Sequence, residues 1–151
     1  RSVEDNFNKA LAKVVQRLGV ELLVGPMKEV KRAAEKVKKY SRTKGQGEWP
    51  YAKYITDVLR ASFICATADD LFTTYNHFIE SGDFEVVRLK NKLKEKQAPF
   101  NLHVNAIFHP SEVEDPIIIE VQFHLREVYK LQHRQHIAYK MKRAESVRVL
   151  L

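Results

Sequence analysis

Apolar residues recur every three or four positions in four segments of the chain, which is the spacing of a helix with one buried face. In chain order these segments are Val3 to Val20, Pro26 to Tyr40, Thr67 to Glu80 and Arg126 to Ser146. Gly19 is a common helix stop and Pro26 is a favoured first-turn residue. Thr67 or Asp69 can cap the third segment. The pattern therefore predicts four helices.

Four shorter segments have the composition of strands. Val58 to Ala66 has an apolar centre, Phe63-Ile64-Cys65, that is typical of a buried strand. Three others alternate between apolar and polar residues: Phe84 to Leu89, Leu102 to Phe108 and Ile117 to His124. The main connections are a loop, a basic mobile segment and an acidic turn: Ser41 to Pro50, Lys90 to Pro99 and Pro110 to Pro116. The order α-α-β-α-β-β-β-α predicts an α+β domain with helices flanking a mixed sheet of four to five strands.

A carboxylate interrupts the most apolar run of the chain, Ile117-Ile118-Ile119-Glu120-Val121-Gln122-Phe123. The period of two places Ile119 and Val121 on one face of a strand and Glu120 and Gln122 on the other. An ionised acid among β-branched residues is costly to desolvate unless it meets a proton, a cation or a metal. Two interpretations stay open: a half-buried strand whose polar face meets solvent, or a chemical site.

The length of 151 residues and the hydrophobic content of 44% predict one domain with a single core. No apolar stretch approaches a membrane span and no leader is visible, so we expect a soluble protein without a membrane partner. The single cysteine, Cys65, excludes an intramolecular disulfide and favours a reducing compartment, the cytoplasm. Because the chain starts at Arg1, we expect it to be cut from a longer polypeptide with other domains.

A formal net charge of +7 favours polyanionic partners such as nucleotides, RNA or acidic proteins. On the second predicted helix, Lys28, Arg32 and Lys36 follow one another at four-residue intervals, where like charges repel. Such a face is suited to an anion, and phosphate is the obvious candidate. The alternative is a solvated lysine-rich surface.

Asp57 stands at the entrance of the first predicted strand, and together with Glu120 of the same sheet it could hold a divalent cation. Mg²⁺ commonly binds through one or two carboxylates and the phosphates of a substrate. The alternative for Asp57 is a turn or cap residue. The pair His133-x-x-His136 has no third ligand near it in the sequence, so it predicts a packing or phosphate-facing histidine rather than a zinc site. Glycine-rich phosphate loops and a Gly-x-Ser-x-Gly elbow do not occur in the sequence.

Taken together, these segments resemble the synthetase domain of RelA/SpoT-type alarmone synthetases, whose nucleotidyltransferase fold is related to that of DNA polymerase β. The resemblance extends from Gly25 to Arg143. It rests on four groups in the family's order: Gly25-Pro26-Met27-Lys28, Asp57 with Arg60, Ile119-Glu120-Val121-Gln122, and His136-Ile137-Ala138-Tyr139-Lys140. It implies a core at residues 25–146 that follows an N-terminal helical extension at residues 1–24.

The resemblance also implies an activity, the Mg²⁺-dependent transfer of pyrophosphate from ATP to a 3′-hydroxyl of a nucleotide or of tRNA. Asp57 and Glu120 would be the catalytic residues and metal ligands, with Glu120 also helping to remove the hydroxyl proton. The residues expected to bind phosphate or nucleotide are Lys28, Arg32, Lys36, Arg60, Phe100, His103, Gln122, His136, Tyr139 and Lys140. The basic segment from Lys90 to Lys96 suits a tRNA acceptor.

Two departures from the family pattern bear on function. The long bacterial enzymes place the strand arginine further from the aspartate, so alternation directs Asp57 and Arg60 to opposite faces unless the strand begins after Asp57. The family's acceptor-stacking tyrosine is also missing from Ala98-Pro99-Phe100-Asn101-Leu102-His103, where Phe100 offers a replacement ring. The alternative function is therefore a catalytically degenerate domain that binds a nucleotide or another protein.

Overall fold

The protein folds into a mixed sheet with helices. The computed structural model describes residues 3–15, 19–26, 34–35, 38, 58–96, 100–111 and 115–150, and of residues 143–150 it describes only the backbone. The helices whose bounds the structure describes are α1 (Val3–Val14), α2 (Ala68–Glu80) and α3 (Arg126–Leu150). The strands are β1 (Val20–Val24), β2 (Arg60–Cys65), β3 (Phe84–Asn91), β4 (Leu102–Phe108) and β5 (Ile117–Leu125).

The five strands form one sheet in the order β1-β2-β5-β4-β3. β2 and β5 pair in parallel, and the other three pairs are antiparallel. The longest strand, β5, therefore lies at the centre with a partner on each side. The predicted α+β class and mixed sheet are confirmed.

One face of the sheet forms the hydrophobic core. On β5, Ile119, Val121 and Phe123 are fully buried, as the alternation in the sequence predicts. The ring of Phe123 packs against Phe63 of β2 and Phe78 of α2, with ring centroids 5.1 and 5.7 Å apart. Helices α1 and α2 pack on this face, so the opposite face of the strands carries the polar residues.

Both ends of α2 have local causes in the sequence. The Thr67 side chain accepts a hydrogen bond from the backbone N–H of Asp70 at 3.1 Å, which is an N-cap. After the last turn, Gly82 has φ of 77°, a conformation that glycine adopts without strain. This turn allows β3 to begin at Phe84 and to place that ring against Phe78, 4.4 Å away.

The prediction that the first helix runs to Val20 is wrong. It ends at Val14, and Val20–Val24 is an edge strand paired with β2. The residues of Val20–Val24 fit both the helical period and the strand period. As a strand, the segment pairs its backbone groups with those of β2, and only one of its faces has to be buried. Phe7 and Leu11 of α1 are fully buried in the common core.

Smaller differences concern the ends of other elements. The strand expected from Val58 begins at Arg60, and the final helix continues past Ser146 to Leu150. β3 extends to Asn91, so Lys90 belongs to a strand rather than to a connection. Most of the predicted second helix and the whole loop of residues 41–50 lie outside the described residues. Within the described part of the chain, no helix combines the length and the apolarity needed to cross a bilayer.

We expect Phe123→Ala to lower the free energy of unfolding by about 3–5 kcal/mol, because it leaves a cavity between β2, β5 and α2. Phe72→Ala is the matched control, since Phe72 is 54% exposed on α2, and it should cost less than about 1 kcal/mol. Urea unfolding followed by circular dichroism measures both changes. Equal losses in the two variants would contradict the placement of the core.

Candidate active site

The polar face of the sheet carries two rows of side chains that cross four neighbouring strands. Residues that pair in register project to the same face, so the strand pairing defines each row. The first row contains Arg60 of β2, Glu120 of β5, Asn105 of β4 and Arg88 of β3. The second row contains Ser62, Gln122, His103 and Lys90 of the same strands.

Arg60 pairs with Glu120 in the parallel register of β2 and β5. The backbone N–H of Glu120 donates to the carbonyl of Leu59 at 3.0 Å, which fixes this register at the start of β2. Because β2 begins at Arg60, the side chain of Arg60 projects to the same face as Glu120. Asp57 itself lies outside the described residues.

Gln122 and His103 contact the Glu120 carboxylate on this face. Its Oε1 accepts a hydrogen bond from Gln122 Nε2 at 2.6 Å, and His103 Nε2 lies 3.5 Å from the same oxygen. The Glu120 side chain retains 17% of its exposure, so the acid is neither in bulk solvent nor sealed in the core. A partly desolvated carboxylate interacts more strongly with a cation than a fully solvated one does.

The other end of the Gln122 amide is also occupied. Gln122 Oε1 lies 3.1 Å from Asn101 Nδ2, which donates to it, and 3.1 Å from His124 Nε2. Asn101 and His124 are both buried, with 0% and 4% exposure. Burial lowers the pKa of His124 to about 4, so this imidazole is neutral at pH 7.

A cavity of about 210 Å³ opens beside Glu120. The edge strand β1 forms one wall, β2 and β5 form the floor, and Tyr129 of the first turns of α3 forms another wall. Tyr129 is held there by an edge-to-face contact with the His124 ring, with centroids 5.1 Å apart. The residues that line the cavity are Leu23, Val24, Gly25, Arg60, Ala61, Ser62, Glu120, Gln122 and Tyr129.

The structure brings together four of the predicted site residues and separates others. Those on the polar face are Arg60, His103, Glu120 and Gln122. Phe100 is 37% exposed and directly precedes the buried Asn101. Three residues lie on the exposed surface of α3, beyond Tyr129, and do not line the cavity: His136, Tyr139 and Lys140. Lys28, Arg32 and Lys36 fall outside the described residues, as Asp57 does.

The donor set at the cavity fits one point of attachment for Mg²⁺. No group of three potential metal-ligating side chains occurs within the described ranges. Glu120 supplies one carboxylate, which is compatible with a cation whose remaining ligands are substrate phosphates, water and a second acid. Arg60 in the same row adds a positive charge that suits phosphate rather than a second cation.

Several residues of this site were not identified from the sequence. Tyr129 lines the cavity only because the chain turns from β5 into α3, a geometry that no local pattern encodes. One feature of the sequence marks Asn101, which is its position directly before β4. Its partner Gln122, however, is distant in the sequence. Cys65, by contrast, is buried as expected, and burial raises the pKa of its thiol to about 11, which excludes it as a thiolate nucleophile at neutral pH.

Comparison with known proteins gives matches in structure only. No protein-family model matches the sequence, and no curated protein matches it either. The structure of small alarmone synthetase 1 from Bacillus subtilis bound to its product pppGpp is similar, with a TM-score of 0.68 and 17% identity over 91% of this chain and 75% of that one. Small alarmone synthetase 2 from Bacillus subtilis has a TM-score of 0.67 and 14% identity over 93% of this chain and 80% of that one.

A GTP pyrophosphokinase family protein from Streptococcus pneumoniae is also similar, with a TM-score of 0.60 and 13% identity over 87% of this chain and 65% of that one. Small alarmone synthetase 1 has a further structure bound to AMPCPP. At these identities the similarity shows the fold. The chain has the fold of the alarmone synthetases, and the resemblance seen in the sequence is confirmed at that level.

We expect the stability of the protein to fall as the pH falls below about 6.5. The unfolded chain takes up a proton at His124 near its ordinary pKa of 6.5, whereas the folded chain resists protonation down to about 4. Protons bound preferentially by the unfolded state cost about 2 kcal/mol of stability between pH 7 and pH 5. Urea unfolding at both pH values measures this loss, and His124→Gln should reduce it by about the same amount. An unchanged pH dependence in that variant would refute the assignment.

Proposed function

We propose that this domain is a pyrophosphokinase that binds ATP and transfers its β,γ-pyrophosphate to a 3′-hydroxyl of a nucleotide or tRNA acceptor. The observation that carries the proposal is the placement of Glu120 and Arg60, partners in the strand register, in the lining of one cavity on the sheet of an alarmone synthetase fold. An acid that can accept a proton and a cation that can bind phosphate are the two groups such a transfer requires.

In the proposed reaction, the acceptor 3′-oxygen forms a bond to the β-phosphorus of ATP. The bond from that phosphorus to the oxygen bridging it to the α-phosphate breaks, and AMP leaves with the electron pair. The Glu120 carboxylate takes the hydroxyl proton, and the hydrogen bond from Gln122 at 2.6 Å restricts the position of that carboxylate. Arg60 neutralises charge on the transferred group.

Mg²⁺ is part of the proposal. Bound to the triphosphate, it would supply charge neutralisation at the phosphate oxygens. Glu120 would hold it together with Asp57, and Lys28, Arg32 and Lys36 would bind the remaining phosphate charge. The hydrogen bond that Glu120 accepts from Gln122 at 2.6 Å orients its carboxylate, which suits both roles.

The basic end of the polar face favours a polyanionic acceptor. Each row ends on the edge strand β3 in a cation, Arg88 or Lys90, and both side chains are exposed. Lys92, Lys94 and Lys96 continue the positive charge into the following turn. A nucleotide with 5′-phosphates and the 3′ end of tRNA both carry charge that such a surface attracts.

A second candidate is a degenerate domain that binds nucleotide without transferring pyrophosphate. It is favoured by Ala98 and Pro99, which stand where the family has Gly-Tyr, since the acceptor base then has no tyrosine to stack on. Binding of ATP without product in the presence of every acceptor would identify this function.

We expect transfer of label from [γ-³²P]ATP to at least one acceptor among GDP, GTP, AMP, ADP, ATP and bulk tRNA, in the presence of Mg²⁺. Glu120→Gln keeps the shape of the side chain but removes the base and the charge, so it should lower the rate roughly 100-fold or more. Thin-layer chromatography separates the products. If tRNA is the acceptor, the rate should fall steeply between 50 and 200 mM salt, in the range where phosphate contacts are screened.

Glu127→Gln is the matched control, because the Glu127 side chain is 83% exposed on α3 and pairs only with Lys130 among the described residues. It should retain full activity. Absence of transfer to every acceptor, in protein shown to be folded, would contradict catalysis. Undiminished transfer by Glu120→Gln would instead contradict the role of the acid.

A further inference from the structure

The Gln122 amide has hydrogen-bond partners at both ends, although the family resemblance implies a contact between this residue and nucleotide. Its nitrogen donates to Glu120 at 2.6 Å, and its oxygen is 3.1 Å from the donors of both Asn101 and His124. A side chain with three partners of this kind has little rotational freedom left, so it transmits the positions of its partners to one another.

The hydrogen bond between Gln122 and Glu120 sets the direction of the other two hydrogen bonds of the Gln122 amide. An ionised carboxylate only accepts, so the end of Gln122 that faces Glu120 must be the nitrogen. Gln122 Oε1 then faces the other two residues and must accept from both. His124 therefore carries its proton on Nε2, and its Nδ1 is an unprotonated nitrogen, which agrees with the absence of a hydrogen-bond partner for that buried atom in the described structure.

We propose that Asn101 and His124 are positioning residues, which fix the orientation of the Glu120 carboxylate by holding Gln122 in a single amide rotamer. This inference rests on the proposed function, because it assigns these residues to the reaction through Glu120. Neither residue lines the cavity, and both are buried, so neither has to contact a substrate to have this effect.

Burial is what makes these two residues effective. Two exposed donors would exchange with water, and the amide could then turn over at little cost. At 0% and 4% exposure, Asn101 and His124 have no water to replace Gln122 Oε1, so turning the amide would leave two buried donors unsatisfied. Groups that orient a functional side chain in this way typically change activity about 10–100-fold when they are removed.

The most specific variant is Asn101→Asp, which removes the donor to Gln122 Oε1 but hardly changes the shape of the side chain. The introduced carboxylate cannot donate to Gln122 Oε1, so the amide must turn, donate to residue 101 and present its oxygen to Glu120. We expect kcat to fall at least roughly tenfold while the KM for ATP changes less than about threefold. Asn76→Asp adds the same charge to an exposed position of α2 and should leave both constants unchanged.

A second pair of variants covers the case in which a buried carboxylate prevents folding. His124→Phe keeps a ring but removes the donor, and it should lower kcat roughly tenfold. His124→Gln restores an N–H near the position of Nε2 and should keep kcat within about threefold of the wild type. Thermal unfolding establishes that each variant is folded. Equal activities of the two His124 variants and the wild type would overturn the inference.

A measurement independent of activity separates this inference from the proposed function. In ¹⁵N-edited NMR spectra, the side-chain amide of Gln122, assigned through its loss in Gln122→Met, should give shifted protons that exchange slowly with water. The signals should move towards those of a free amide in His124→Phe and remain in His124→Gln. Free-amide signals in the wild type would overturn the inference even if transfer is observed. Shifted signals without transfer to any acceptor would refute the proposed function and leave the hydrogen-bond chain intact.

Discussion

The alternation of residues along β5 is the constraint on which the rest of the molecule depends. The strand has a partner on each side, so each of its faces continues across β2 and β4 without a break. Ile119, Val121 and Phe123 continue into the aromatic core on one face, while Glu120 and Gln122 continue into the polar rows on the other. A slip of one residue would exchange the two faces, so the core also fixes the position of the acid.

Electrostatically, the polar face is a carboxylate flanked by cations on both sides. Arg60 lies next to Glu120 on β2, and Arg88 and Lys90 lie at the far edge on β3. The imidazole of His124 is close to this face but neutral, because burial disfavours its charged form. A phosphate that approaches Glu120 therefore meets cations at the open surface, and the layer behind the acid contributes dipoles rather than charge.

The sequence predicted the parts of the structure that depend on local patterns. The three strands with clear alternation and the cap of α2 were found, because period and capping residues are visible within a few positions. β1 was missed, since a run of five residues satisfies a helix and a strand equally well until its partner is known. The direction of the Arg60 side chain relative to Asp57 was undecided for a related reason: it depends on the residue at which β2 begins.

The residues around the acid required the three-dimensional structure. Asn101 and His124 meet at one amide oxygen, and neither shows from its neighbours in the sequence that it will be buried there. Tyr129 depends on the angle between a strand and the following helix. Such contacts arise from tertiary packing, whereas the carboxylate of Glu120 within an apolar run is visible in the sequence itself.

The parallel pairing of β2 with β5 limits when the sheet can assemble during synthesis of the chain. Residues 66–116 separate the two strands, so Arg60 and Glu120 meet only after a long loop has closed. β5 also supplies Phe123 to the core and Glu120 to the polar face. A nascent chain that has not yet released this strand from the ribosome therefore lacks the centre of its sheet and its acid at once. In such a chain the polar face can form only when the core forms.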